Sequence, residues 1–309
     1  MADFFRSLHE TTNEYRDWAS SDHPRIRTGL PFIDSRTEGG VASGELGILI
    51  ARSGVGKTAL GLHLARVNPH VSTLIFSKEM HARYMVRRLA AAHCNVPTSE
   101  VLATSPALVK IEQDFPHLGI IPYRLNLREM GRALDEAHAV WGRPVELVII
   151  DYLELIKGGP SMSAAEGVAK MARDIKDATK QWDTATWVLH QVSRGAGDAG
   201  HVPLGINDGK FGAEEAADFL VGAYRPSLEP GLSQSEYLRC VPELYIQLLK
   251  TRTDGGIHPS GVRHYMDPRS MRISTWEEGT MTPLIPERVA REISDDDAHW
   301  FDETEGVLT

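Results

Sequence analysis

The sequence predicts an α/β fold: a mostly parallel twisted sheet with helices on both faces and an antiparallel edge. Three observations predict it. Short apolar runs of strand length alternate with segments of helical periodicity from residue 25 onward. One of these runs, Leu46-Gly47-Ile48-Leu49-Ile50, passes through a glycine-rich turn directly into a helix-compatible stretch, Ala59 to Ala65. The last runs are joined by short or turn-rich links, which suit antiparallel neighbours.

The elements follow in order. Residues 3–19 place Phe4, Leu8, Tyr15 and Trp18 at helical spacing and predict a short amphipathic helix with large anchors. Ser20-Ser21-Asp22-His23-Pro24 carries turn and breaker residues and reads as a linker. Strands are predicted at 47–51, 72–77, 119–123, 145–151, 184–191, 218–223, 244–251 and 270–275. Helices are predicted near 57–67, 80–93, 127–141 and 163–182. The domain reading is therefore an N-terminal helix and linker (1–24), one α/β domain (25–285) and an acidic tail read as disordered (286–309).

Composition narrows the class. The 309 residues are 42% hydrophobic and 24% charged, values typical of a soluble globular protein. No apolar run approaches the ~20 residues that span a bilayer, so no membrane partner is expected. The start, Met1-Ala2-Asp3-Phe4-Phe5-Arg6, lacks the features of a signal peptide. Cys94 and Cys240 lie far apart, which argues for a reducing compartment and against a disulfide framework or zinc site. The net charge is −9, but residues 286–309 hold eight acids against two arginines, so the other 285 residues carry only −3. A near-neutral body can still hold a basic groove.

Residues 51–59, Ala51-Arg52-Ser53-Gly54-Val55-Gly56-Lys57-Thr58-Ala59, form the strand–loop–helix setting of a P-loop. The glycines let backbone N–H groups curl around phosphates, Lys57 supplies a positive charge, and the Thr58 hydroxyl suits Mg²⁺. Ala51 stands where the usual pattern has its first glycine. ATP with Mg²⁺ is the expected cofactor.

In open α/β sheets, ligands sit at the carboxyl ends of the strands. Just past the 72–77 strand comes Glu79, the 145–151 strand closes on Asp151, and the 184–191 strand closes on Gln191. Phosphoryl transfer is mostly positioning and charge stabilisation. Asp151 is therefore assigned to Mg²⁺ beside Thr58, Glu79 to polarising the attacking water, and Gln191 to sensing the γ-phosphate. Glu154 is the competing acid. At the end of the 244–251 strand, Lys250 and Arg252 alternate onto one face. Two adjacent cations repel unless an anion lies between them, and the γ-phosphate of a neighbouring subunit is such an anion.

Taken in order, these residues resemble the RecA-like P-loop ATPase core of DnaB-type replicative helicases over about residues 25–276. The lead-in Arg27 to Asp34 and Gly39 to Leu46 is similar to that family's approach to the P-loop, and the family tolerates alanine at the position of Ala51. Phe76-Ser77-Lys78-Glu79-Met80 resembles its catalytic-glutamate segment, and Val148 to Leu155 its Walker B strand, with Glu154 where glutamine is usual. Gln191-Val192-Ser193-Arg194 resembles its sensor segment, and Lys250-Thr251-Arg252 its paired trans-acting fingers.

The resemblance implies an ATP-dependent, ring-forming DNA helicase, a homo-oligomer (a hexameric ring) acting on single-stranded DNA in a bacterial or phage-infected cytoplasm. It places DNA against the glycine-rich loops that carry Lys157, Arg194 and Lys210. About 24 residues precede the core, so primase binding through an N-terminal collar domain is not expected. The 3–19 helix resembles the family's linker helix, which packs on the neighbouring subunit. The acidic tail, with Trp300 and Phe301, suits a basic partner or competition with DNA. Two other functions stay open: a RecA-like recombination or repair ATPase that binds strands without processive unwinding, and a KaiC-like switch ATPase acting on proteins.

Overall fold

The computed structural model describes residues 6–20, 25–77, 80–151, 164–192, 200–208, 214–253 and 255–280. Phe4, most of the predicted linker and the whole acidic tail lie outside these described residues.

Nine described strands form one sheet: β1 (Leu46–Ala51), β2 (Thr73–Ser77), β3 (Leu118–Ile121), β4 (Leu147–Asp151), β5 (Ala185–Gln191), β6 (Phe219–Tyr224), β7 (Glu243–Lys250), β8 (His258–Met266) and β9 (Ile273–Thr275). Their spatial order is β3-β2-β4-β5-β1-β6-β7-β8-β9. The first six in that order are mutually parallel, and β7, β8 and β9 are added antiparallel. The predicted parallel sheet with an antiparallel edge is thus the observed one.

Helices cover both faces because the central strands are apolar on both sides. In β1, Leu49 and Ala51 face one hydrophobic layer, and Leu46, Ile48 and Ile50 the other. In β4, Leu147 and Ile149 separate from Val148 and Ile150 in the same way. The first layer is closed by α3 (Lys57–Arg66), α4 (Ala82–Cys94) and α5 (Pro106–Asp114), through Leu60, Leu64, Met85, Leu89 and Ile111. The second is closed by α6 (Leu127–Trp141) and α7 (Ala164–Trp182), through Met130, Leu134, Met171 and Ile175. Each such side chain contributes about 1.5–3 kcal/mol on burial. Short helices α2 (Pro31–Asp34), α8 (Gln234–Cys240) and α9 (Trp276–Thr280) complete the connections.

Besides the short α2, α8 and α9, which the sequence pattern did not predict, the structure departs from expectation in four places. The N-terminal helix, α1, spans Leu8–Ser20 rather than 3–19. Glu10 accepts from the Ser7 amide at 2.6 Å, so this box starts the helix after Ser7. α5 was not foreseen: it has nine residues, begins at a proline under a Ser105 cap, and buries little beyond Ala107 and Ile111. β8 was also missed, because Pro259 and Gly261 break its pattern. Its first half tolerates them because β9 pairs only with residues 264–266. Finally, the strand predicted at 270–275 shrinks to β9, because Ser270 belongs to a turn held by the Asp267 carboxylate, which accepts from the Arg269 amide at 2.7 Å.

Candidate functional site

β1 sits centrally in the sheet, and its last residue, Ala51, lies in register with Gln191 of β5 and Ala223 of β6. The turn that follows requires positive φ at Gly54 (82°) and Gly56 (117°), a region that side-chain-bearing residues rarely adopt. Space is also limiting at Gly56, where an added Cβ would lie 3.1 Å from the Met266 Cε. Gly56 is the residue that opens α3, whose first-turn N–H groups and dipole make that end attractive to anions. Leu60, Leu62 and Leu64 bury the rest of the helix and hold its N-terminus against the sheet edge.

Three predicted site residues converge here. The Lys57 ammonium folds over the loop and donates to the carbonyls of Ala51 (3.2 Å) and Arg52 (3.3 Å). The Thr58 hydroxyl donates to Asp151 Oδ2 at 3.0 Å. Asp151 is 2% exposed and ends β4 in register with Ser77 of β2 and Leu189 of β5. A buried carboxylate touching a hydroxyl beside a helix N-terminus is the oxygen-rich, anionic donor set that Mg²⁺ prefers, so this pair fits the expected ion. Gln191 ends β5 on the same edge. Glu79 lies just beyond β2, outside the described residues, as do Glu154, Lys157, Arg194 and Lys210.

Sequence reasoning missed the walls of this loop. A Cβ built on Gly200 would come within 3.4 Å of Arg52 Cβ and 2.8 Å of Leu228 Cδ1, and one on Gly54 within 3.9 Å of Leu228. The Arg225 amide donates to the Gly200 carbonyl at 2.8 Å, tying the two wall segments together. Nothing in local sequence marks Leu228, since only the end of β6 brings it there.

Lys250 and Arg252 lie elsewhere. β7 runs antiparallel, so its end meets the start of β6, with Lys250 in register with Leu220. That is the amino edge of the parallel strands, one β1 length (roughly 16 Å) from the P-loop edge. The Lys250 ammonium donates to the carbonyls of Glu214 (3.2 Å) and Glu215 (3.0 Å). Burial, and then the charge of Arg252, hold its pKa below the usual lysine range. Arg252 is paired with Asp218 at 2.9 Å. An anion does stand beside the two cations, and within this chain it is Asp218, a residue sequence reasoning did not select. Asp218 follows two acids, Glu214 and Glu215, at the head of a buried strand, and an acid leading such a strand is the signal that was available.

Among the described residues no cluster of metal-ligating side chains is present, and no described helix is long and apolar enough to cross a membrane.

Residues 25–229 match the family model of the DnaB-like helicase C terminal domain. The chain is 27% identical over 220 residues to the replicative DNA helicase DnaB of Rhodothermus marinus, covering 61% of this chain and 22% of that protein. Against the DnaB of Treponema pallidum it is 28% identical over 235 residues, covering 69% and 51%. It therefore spans about a fifth to a half of the length of these relatives. Two solved structures share the fold. The ATPase domain of G40P matches with a TM-score of 0.70 at 19% identity, covering 89% of this chain and 99% of that one. A DnaB-like replicative helicase, solved for its interactions with primase, matches with a TM-score of 0.68 at 18% identity, covering 87% and 68%.

Proposed function

Because this chain belongs to the DnaB-like helicase C-terminal domain family, we propose that it is the motor of an ATP-dependent DNA helicase, a ring-forming translocase on single-stranded DNA. ATP is hydrolysed at subunit interfaces of a homo-oligomer, a hexameric ring, in a bacterial or phage-infected cytoplasm. The observation that carries the reading is the separation of the two half-sites. The P-loop edge and the Lys250–Arg252 edge lie at opposite ends of the parallel strands, which supports a reading in which these cations serve the nucleotide of another subunit.

The chain's residues divide the work. Amides of the Gly54–Thr58 turn and the first turn of α3 hold phosphate oxygens. Lys57 exchanges its carbonyl partners for phosphate, which is a stronger acceptor. Thr58 and Asp151 would hold Mg²⁺, which would supply charge neutralisation at the transferred phosphoryl group. Glu79 polarises the attacking water, and Gln191 registers the γ-phosphate. Lys250 and Arg252 of the adjacent subunit stabilise the charge that develops on it. The segments carrying Lys157 and Arg194 follow the carboxyl ends of β4 and β5 in sequence, and these two residues, with Lys210, contact the DNA backbone.

Strand displacement on a forked substrate, with Lys57→Ala as control, tests the proposal. Unwinding by the parent chain and its loss in the variant support it. Hydrolysis stimulated by DNA without unwinding would point to a recombination-type ATPase, and hydrolysis indifferent to DNA to a switch acting on proteins.

A further inference from the structure

Asp218 joins three parts of the molecule through one buried carboxylate. Its side chain is 5% exposed. One oxygen, Oδ1, pairs with Arg252 Nη1 at 2.9 Å. The other, Oδ2, accepts from the Leu46 amide at 2.7 Å, at the head of the P-loop strand, and from the Lys176 ammonium of α7. Lys176 also donates to the Gly44 carbonyl at 2.8 Å, so it is locked to the same edge. Arg252, by contrast, has its side chain 59% exposed and lies past the last residue of β7. Its described ion pair is the one with Asp218. A long side chain on an exposed turn has several rotamers to lose, and a buried carboxylate held by two other donors is a fixed anchor for it.

We propose that Asp218 is a positioning residue for phosphoryl transfer: it holds the Arg252 guanidinium in the geometry that presents it to the neighbouring subunit's nucleotide. The proposal rests on the reading of Arg252 as a finger acting in trans. Lys176 and the Leu46 amide anchor Asp218 to rigid elements, so the finger is preorganised by the sheet rather than by its own turn. Because α7 follows the loop that carries Lys157, Asp218 also ties the finger to the element next to the proposed DNA contacts.

Asp218→Asn keeps the size and an acceptor for Leu46 but removes the charge that holds Arg252. Expected is a fall in kcat for ATP hydrolysis on the order of 10- to 100-fold, the usual penalty for a misplaced catalytic group, with nucleotide affinity unchanged, because the P-loop lies at the other edge. The decisive readout is subunit mixing. Asp218→Asn chains co-assembled with Lys57→Ala chains should recover hydrolysis, because the intact P-loops of the first meet the intact fingers of the second. If Arg252→Ala mixed with Lys57→Ala recovers activity and Asp218→Asn does not, the role of Asp218 is overturned while the finger stands. If neither recovers, the trans reading itself fails. A drop in nucleotide affinity equal to the drop in kcat would make Asp218 merely structural and also overturn the proposal. Should Asp218→Asn melt below the assay temperature, Asp218→Glu carries the same mixing test, since it keeps a charge for Lys176 but shifts the carboxylate.

Discussion

At the scale of single residues, two positions turn backbone or burial into consequences that can be measured. Gly56 stands at φ 117° with Met266 close by. Gly56→Ala forces either backbone strain of about 1–2 kcal/mol or a shift of the amides proposed to hold phosphate. Its affinity for a fluorescent ATP analogue should fall about tenfold, the factor equivalent to 1.4 kcal/mol; unchanged binding would remove Gly56 from the cradle. His63, on α3, is buried, and its Nδ1 accepts from Arg66 Nη2 at 3.1 Å. Burial first, then the charge of Arg66, push its pKa down to about 3. A histidine whose pKa is lower folded than unfolded is protonated first in the unfolded chain as pH drops. Its contribution to stability is therefore complete above about pH 6.5 and is lost as pH falls toward 3. The unfolding midpoint of the parent chain should drop more between pH 7 and pH 5 than that of His63→Gln; parallel curves would refute the assignment. Much of the site was legible at this scale. Lys57, Thr58 and Asp151 were found from strand ends and spacing alone; the structure brings Thr58 and Asp151 within bonding distance and folds Lys57 over the loop between β1 and α3. Asp218 and Leu228 were not, because their partners are 34 and roughly 170 residues away in sequence and no local pattern encodes such a meeting.

At the scale of elements, strongly periodic segments were legible and mixed ones were not. α6 and α7 carry clean apolar stripes, and their boundaries fell close to expectation. α6 also announces its start. Asn126 accepts from the Glu129 amide at 3.0 Å while Glu129 accepts from the Asn126 amide at 2.8 Å. Asn126→Ala removes this cap at a cost of about 1 kcal/mol, seen as a fall of a few degrees or less in Tm, with ATP hydrolysis unaltered because Asn126 follows β3, at the far end of the sheet order from the central β1. A loss of activity with no loss of stability would contradict that separation. β8 failed as a prediction for the opposite reason: proline and glycine within it are tolerated only by its position near the sheet margin, which is a property of its neighbours.

At the scale of the whole molecule, α1 bears on assembly. Leu8 is 84% exposed and Tyr15 62% exposed, although the spacing of these residues makes an apolar face. Such an exposed face is suited to another subunit. Deleting residues 1–20 should lower the mass measured by light scattering from that of an oligomer toward one chain; an unchanged mass would assign assembly to other surfaces. The sequence by itself determined the α/β class, the parallel sheet with its antiparallel edge, the two-sided burial, and the glycine-rich turn that joins β1 to α3. All of these follow from local chemistry: hydrophobic period, turn residues and the residue that closes each strand. Only the tertiary structure decided that Lys250 and Arg252 stand at the far edge from their own P-loop, and that Asp218 meets one of them there. The reason is that strand order and direction are set by long-range packing. An antiparallel β7 sends its end to the amino edge of the sheet, and nothing within those eight residues says which way it will run.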